Sequence, residues 1–291
     1  YTRTCAVCPC TLYKPDTFVR NETTMLKSHF SAIWESVADA VPEHIALIQG
    51  ERRITWRDYE SRSARLAQGL MEAGLGKHAK VGMYLYNSPE YAETNFAALK
   101  IGGVPINVNY RYLDEELFYL LENADVEALI FHRSLGNRVA RICHRLPQLK
   151  IMISVDDGAP EDDSEEPSAA IPYESLIAKN SGAARITPEG DEIYMFYTGG
   201  TTGMPKGVMY PVKDFTEFFM HGFPSMIGLS PFETADQMAV TAKQLFDSNA
   251  TVVSMSGPPL MHGTGSWLGL MFPHMLGGTS VMLESRGLKP E

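Results

Sequence analysis

The chain has 291 residues, 44% hydrophobic and 21% charged, the balance of an ordinary globular protein long enough for one large or two medium domains. Its 25 Lys and Arg against 35 Asp and Glu leave a net charge of −10, which argues against a nucleic-acid-binding surface. The most apolar stretch, Met255 to Met275, is interrupted by glycine, proline and histidine, so it does not read as a membrane span, and no signal-peptide pattern opens the chain; the cytoplasm is the default location.

Residues 1–24 read as an irregular leader or added extension ahead of Met25. Their CAVCPC cluster has no neighbouring histidine and no second CxxC pair, so it lacks the ligands of a tetrahedral metal site. The first clear helix signal is TWRDYESRSARLAQGLMEAGLG. Thr55 can cap it, Asp58 can close a capping box, and Tyr59, Leu66, Leu70 and Met71 form a helix-period stripe that Gly74 or Gly76 ends. VGMYLY then alternates at period two and predicts a strand.

Ser88 and Pro89 mark the next helix start, with proline at the first helical position, where its missing N–H costs nothing. This helix should reach about Lys100 and stop near Gly102-Gly103. A short strand around VPINV, a helix over Leu113 to Glu122, the strand VEALIF, a helix over Leu135 to Leu146 and the strand IMISV follow. Cys143 reads as a core cysteine of that last helix. Alternating apolar strands and amphipathic helices predict an α/β fold of layered βαβ sheets, with crossovers long enough for parallel pairing.

The acidic DDGAPEDDSEEPSAAIP predicts a solvated loop, because its like charges repel and it can bury little surface. Beyond it, IYMFY and GVMY read as strands flanking a glycine-rich loop. Asp214 to Ala250 is only weakly patterned as helix, and TVVSM, a loop, an apolar helix and TSVML close the sequence.

The loop itself is YTGGTTGMPKG, Tyr197 to Gly207. Glycines 199, 200, 203 and 207 can let backbone N–H groups approach a ligand, Thr198, Thr201 and Thr202 add hydroxyls, and Lys206 adds a cation just after Pro205. These are the parts of a polyphosphate-binding loop; an ordinary flexible surface loop is the alternative. Neither a Walker loop nor a GxGxxG fingerprint fits, since Pro205 precedes the lysine and Gly207 follows it.

YTGGTTGMPKG closely resembles the phosphate loop of the adenylate-forming superfamily, which includes acyl-CoA synthetases, peptide-synthetase adenylation domains and luciferases. The usual family form has serine where this chain has Gly199. PLMHGTG, Pro259 to Gly265, resembles the family's substrate-side motif, in which a histidine or aromatic residue lies near the substrate carboxylate. MLGGTSVML resembles the strand entry that follows, while NSPEYAETNFAALKIGGVPINVNYRY and ELFYLLENADVEAL look like the acyl-CoA synthetase branch. The resemblance runs from about Phe30 through Leu283.

It implies that residues 25–155 and 191–291 are two parts of one truncated, AMP-binding N-terminal domain, joined by an acidic connector over 156–190. It also implies an ATP-dependent ligase that converts a fatty or sterol-side-chain carboxylate to an acyl-adenylate and passes it to coenzyme A. The phosphate-binding residues would be Thr198, Gly199, Gly200, Thr201, Thr202, Gly203 and Lys206, with Lys206, Thr201, Thr202 and His262 closest to the chemistry. His262, Gly263, Thr264 and Trp267 would line the substrate pocket; core packing is the alternative for Trp267, Leu268, Leu270 and Met271. ATP, Mg2+ and coenzyme A are the implied small molecules, and no protein metal ligand is assigned. An amino-acid or aryl-acid adenylating domain and a non-catalytic ATP-binding module are the competing readings. The family's ribose-binding, magnesium-proximal, hinge and C-terminal lysine elements have no counterpart in this sequence, so the chain alone is expected to be inactive. Peripheral membrane association and a homodimer are both left open. Tyr110-Arg111-Tyr112 resembles a stretch at the sheet edge, and His132, His221 and His274 read as satisfied or solvated.

Overall fold

A computed structural model describes residues 28–159, 166–199 and 204–285. The expected leader over 1–24, its cysteine cluster and Met25 lie outside the described residues.

The first described element, helix α1 (Phe30–Ala40), leads into a hairpin of β1 (Ile45–Gln49) and β2 (Arg52–Thr55). Helix α2 (Trp56–Glu72) starts where its cap dictates: Thr55 accepts the Asp58 N–H at 3.1 Å, and its hydroxyl donates to Asp58 Oδ2 at 2.9 Å. The buried stripe is Trp56, Tyr59, Ser63, Leu66, Ala67 and Leu70. Met71, expected in the stripe, is 49% exposed, because one step beyond Leu70 the helix has already turned off its buried face. Gly74 stops the helix with φ +80°.

β3 (Lys80–Tyr84) leads to α3 (Pro89–Lys100), capped by Ser88 through the Tyr91 N–H and buried at all twelve positions. Then come β4 (Val104–Asn107), α4 (Asp114–Asn123), β5 (Val126–His132), α5 (Gly136–Ile142), β6 (Ile151–Val155) and β7 (Ile171–Pro172). The five strands form one all-parallel sheet in the order β4-β3-β5-β6-β7. Period-two alternation therefore does not sort β3 into two faces: Val81 to Tyr84 are all buried, as in a sheet covered on both sides. The helix expected over 135–146 is shorter, with α5 set between 3-10 turns at Arg133–Leu135 and Cys143–Arg145. Cys143 is only half-buried, its thiol 3.6 Å from the Ala140 carbonyl.

Residues 160–165 of the acidic stretch lie outside the described residues, and the connector expected over 156–190 is not loop throughout. It contributes β7 and then α6 (Tyr173–Lys179), whose Tyr173 is buried and donates to Glu93 Oε2 at 2.7 Å, while Arg62 Nε holds the other Glu93 oxygen at 2.7 Å. Burial pushes the Glu93 carboxyl up to about 7 despite that guanidinium.

β8 (Ile193–Thr198) and β9 (Lys206–Pro211) form a two-stranded antiparallel hairpin. Two helices emerge where the pattern was weak, α7 (Val212–Gly222) and α8 (Ala235–Asp247), followed by β10 (Val253–Met255), a π-helix (Thr264–Met271), α9 (Phe272–Met275) and β11 (Thr279–Met282). The last sheet has the order β10-β11-β1-β2, so strands from both ends of the described chain share it. Its interior joins that of α1, α2, α3 and α7 in one apolar cluster. No described helix is long and apolar enough to cross a membrane.

Candidate active site

The predicted phosphate loop is the tip of the β8–β9 hairpin. Gly200, Thr201, Thr202 and Gly203 lie outside the described residues, but both stems are placed. Thr198, last in β8, pairs directly with Lys206, first in β9, and both are exposed. Directly opposed residues put their side chains on one face about 5 Å apart, so a hydroxyl and an ammonium stand together at the base of the tip. Among the described residues Lys206 makes no ion pair.

The glycines flanking the tip do a different job from the one their composition suggests. Neither Gly199 nor Gly207 has a positive φ. A Cβ at Gly199 would meet nothing within 4 Å, so the serine usual in the resembling family would fit. At Gly207 a Cβ would lie 2.9 Å from the Tyr197 ring, which lies over its cross-strand partner and donates its hydroxyl to Asn123 Oδ1 at 2.7 Å. Burial pushes the Tyr197 hydroxyl up to about 12, leaving it a neutral donor.

The stem is tied to the sheet through a side chain. Asn107, last in β4 and 5% exposed, accepts the Tyr197 N–H at 2.7 Å and donates to the Tyr197 carbonyl at 2.9 Å and to the Met261 carbonyl at 2.8 Å. Two more side chains hold the same downstream segment: Asn87 Oδ1 accepts the Leu260 N–H at 2.7 Å, and the Tyr91 hydroxyl donates to the Leu260 carbonyl at 3.0 Å. His262 follows immediately, exposed, with its backbone N–H on Pro259 and its carbonyl taking the Ser266 N–H. Partial burial, and then the positive charge of Arg111, hold its imidazole below the usual histidine range, which favours the neutral ring at pH 7.

Arg111 reaches this position because Arg138 Nη1 fixes its loop, donating to the Tyr110 and Tyr112 carbonyls at 3.0 Å each and meeting the Tyr84 hydroxyl at 3.0 Å. Arg111 itself is exposed, with its guanidinium 6.0 Å from the centre of the Tyr110 ring.

The apolar helix after His262 is wound as a π-helix. Pro273 has no N–H to give the Gly269 carbonyl one α-turn back, and the Ser280 hydroxyl supplies that donor at 2.8 Å. Ser254 likewise donates to the Leu268 carbonyl at 3.2 Å. Gly265 brings the helix hard against the preceding segment: a Cβ there would lie 2.2 Å from the Pro259 carbonyl oxygen. The spacing expected of an α-helix therefore fails for Trp267, Leu268, Leu270 and Met271. Leu270 and Met271 are buried, whereas Trp267 and Leu268 are half-buried. The Trp267 ring packs 5.5 Å from Phe196 and 5.3 Å from Phe215. Gly263 is half-buried and Thr264 exposed at the start of this helix.

The other histidines separate clearly. His132 is buried and its Nδ1 accepts the Tyr86 N–H at 3.0 Å, while His221 is exposed. Of the two roles expected for His274, satisfied or solvated, full burial removes the second. The ring is fully buried among Trp34, Trp56 and Tyr59, and burial drives it down to about 3 although the Ala46 backbone beside it acts in the opposite direction. Among the described residues no three His, Cys, Asp or Glu side chains converge on a cation site. Magnesium, which the sequence resemblance implies, keeps several waters and takes only one or two carboxylates beside the phosphate oxygens, so it does not require such a cluster, and no step is assigned to it.

Sequence reading singled out the glycine–threonine run and His262 but not Asn107, Asn87, Tyr91 or Arg138. The one local signal for Asn107 was an amide closing the otherwise apolar strand VPIN.

The family model of AMP-binding enzymes matches residues 34–291. A medium/long-chain-fatty-acid and 3-oxocholest-4-en-26-oate CoA ligase of Mycolicibacterium smegmatis is 34% identical over 252 residues, covering 85% of this chain and 44% of the relative. A medium-chain acyl-CoA ligase of Mycobacterium avium is 36% identical, covering 81% and 44%. A 3-oxocholest-4-en-26-oate CoA ligase of Rhodococcus rhodochrous is also 36% identical, covering 86% and 44%. The chain thus spans less than half the length of these curated relatives. The fold is shared with an anthranilate CoA ligase bound to anthranoyl-AMP, at a TM-score of 0.69 and 21% identity over 89% of this chain and 46% of that one. ATP-bound MatB from Rhodopseudomonas palustris gives a TM-score of 0.64 at 19% identity, covering 90% of this chain and 46% of that one.

Proposed function

The chain belongs to the AMP-binding enzyme family, and on that premise we propose that it forms the nucleotide- and acid-gripping part of an ATP-dependent acyl-CoA ligase for hydrophobic carboxylates. The observation that carries this reading is that one buried amide, Asn107, holds both Tyr197, next to the Thr198–Lys206 pair, and Met261, next to His262. A triphosphate-gripping tip and a carboxylate-orienting loop must be held in fixed relation for the acid oxygen to reach the α-phosphorus.

In that reaction a carboxylate oxygen bonds to the α-phosphorus of ATP as the bond to pyrophosphate breaks. The sulfur of coenzyme A then bonds to the acyl carbon, AMP departs with its electron pair, and the thiol proton is lost. Lys206, the Thr198, Thr201 and Thr202 hydroxyls, and the backbone donors of Gly199, Gly200 and Gly203 stabilise charge on the outer phosphates. His262 acts as a neutral donor that orients the acid. It has no proton to remove, since a carboxylate is already ionised near neutral pH. Gly263, Thr264 and the half-buried edge of Trp267 border the acyl chain. The fatty and sterol-side-chain acids named for the relatives support this substrate class.

Calorimetric titration of this chain with Mg·ATP tests the nucleotide half. Lys206→Ala should weaken binding about tenfold or more, the worth of one charge-assisted hydrogen bond, without altering the unfolding midpoint. Carboxylate-dependent pyrophosphate exchange by the full-length enzyme, from octanoate to palmitate and a sterol-side-chain acid, tests the other half. No heat with Mg·ATP, or exchange only with amino acids, would overturn the proposal.

A further inference from the structure

We propose that Asn107 is a positioning residue that couples the phosphate-loop stem to the His262 segment, so that nucleotide seated at the hairpin tip also orders the loop that receives the acid. The inference rests on the ligase reading above. Asn107 ends β4, the edge strand of the five-stranded sheet, while β8 belongs to a separate hairpin. At this junction the carboxamide gives Tyr197 one acceptor and one donor, the pair of bonds a neighbouring strand would make, and its second N–H reaches Met261. Both amide hydrogens are committed, in a site shut off from water.

Only a carboxamide satisfies all three partners. Alanine leaves one N–H and two carbonyls without this partner. Aspartate keeps the acceptor for the Tyr197 N–H but turns an anion toward two carbonyl oxygens. Asn87 provides the internal contrast, because it holds Leu260 and not the hairpin. Displacing Tyr197 therefore moves Met261 through a single rigid side chain, and His262 is the next residue.

Hydrogen exchange on this chain tests the coupling, read on peptides covering 193–199 and 259–266 with and without Mg·ATP. Without nucleotide, Asn107→Ala should speed exchange at least about tenfold in both peptides, whereas Asn87→Ala should do so only in the second. With Mg·ATP, the wild type should gain protection in both peptides and Asn107→Ala only in the first. Asn107→Asp, which keeps the shape and the Tyr197 acceptor, should lose the transmitted protection in the same way. Exchange that rises evenly across the domain, including α2, or in one peptide alone, would overturn the coupling. So would nucleotide protection passing unchanged to the second peptide in the alanine variant. If Mg·ATP protects neither peptide in the wild type, the nucleotide reading fails, and the paired loosening without nucleotide still decides whether Asn107 ties the two segments.

Discussion

Replacing Gly265 with alanine should injure the site from beneath. The added carbon would lie 2.2 Å from the Pro259 carbonyl oxygen and 2.7 Å from that of Pro258, and both are backbone atoms with no rotamer to yield. Restoring ordinary contact requires the Pro258–Pro259 segment to retreat by about 1 Å, and overpacking of this kind costs about 1–3 kcal/mol. Clashes with backbone alone put this cost at the upper end, about 2–3 kcal/mol, and alanine's better helix propensity returns about 1 kcal/mol, so the net loss should be about 1–2 kcal/mol. The retreat carries Leu260 to His262 with it, and a misplacement of about 1 Å at a reacting group costs on the order of 100-fold in rate. Urea unfolding followed by tryptophan fluorescence reads the first effect, and pyrophosphate exchange by the full-length enzyme reads the second. Gly263→Ala is the control for stability, because its added carbon would sit at an ordinary 3.6 Å from the Trp267 ring. If the two alanine variants unfold at the same urea concentration, the close approach at Gly265 is not what the geometry says and the reasoning fails.

Trp267→Ala should cost about 2 kcal/mol, less than a fully buried tryptophan, because the ring is only half-buried against Phe196 and Phe215. It should also shift the preferred acyl chain length; a lowered melting temperature with unchanged selectivity would make the ring purely core. His274→Phe should flatten the pH dependence of stability. The folded-state value of about 3 lies below the ordinary 6.5, so the unfolded chain takes up the proton first and stability drains away as pH falls from 6.5 toward 3. Below pH 6 that slope approaches about 1.4 kcal/mol per pH unit, and urea unfolding at pH 7, 6 and 5 should show it missing in the variant. Equal slopes in the two proteins would contradict the buried, neutral ring.

What could be read in the sequence was local chemistry. Thr55 with Asp58 and Ser88 with Pro89 fixed two helix starts, because a cap acts within four residues. Elements defined by distant partners escaped notice. β1 and β2 went unread although Gln49-Gly50-Glu51 separates two strand-like runs, because β1 is completed by a parallel partner near the other end of the chain. The π-helix was read as an ordinary helix, since nothing local marks the Leu268 and Gly269 carbonyls that Ser254 and Ser280 serve from other strands. At the site, the glycine–threonine tip and His262 were visible as composition. Asn107 was not, because its bonds to Tyr197 and Met261 span 90 and 154 residues and leave no periodic trace.

The parallel pairing of β1 with β11 also sets a timetable for synthesis. Thr279 donates to the Ile45 carbonyl across 234 residues, so a ribosome adding about 5–20 residues per second leaves β1 without that partner for roughly 10–50 s. The five-stranded sheet, finished at Pro172, can close in the meantime, while the β1–β2 ribbon waits with Ala46 and Leu47 uncovered. Nascent chains stalled before residue 279 should therefore draw chaperones to the β1–β2 ribbon rather than to their newest residues.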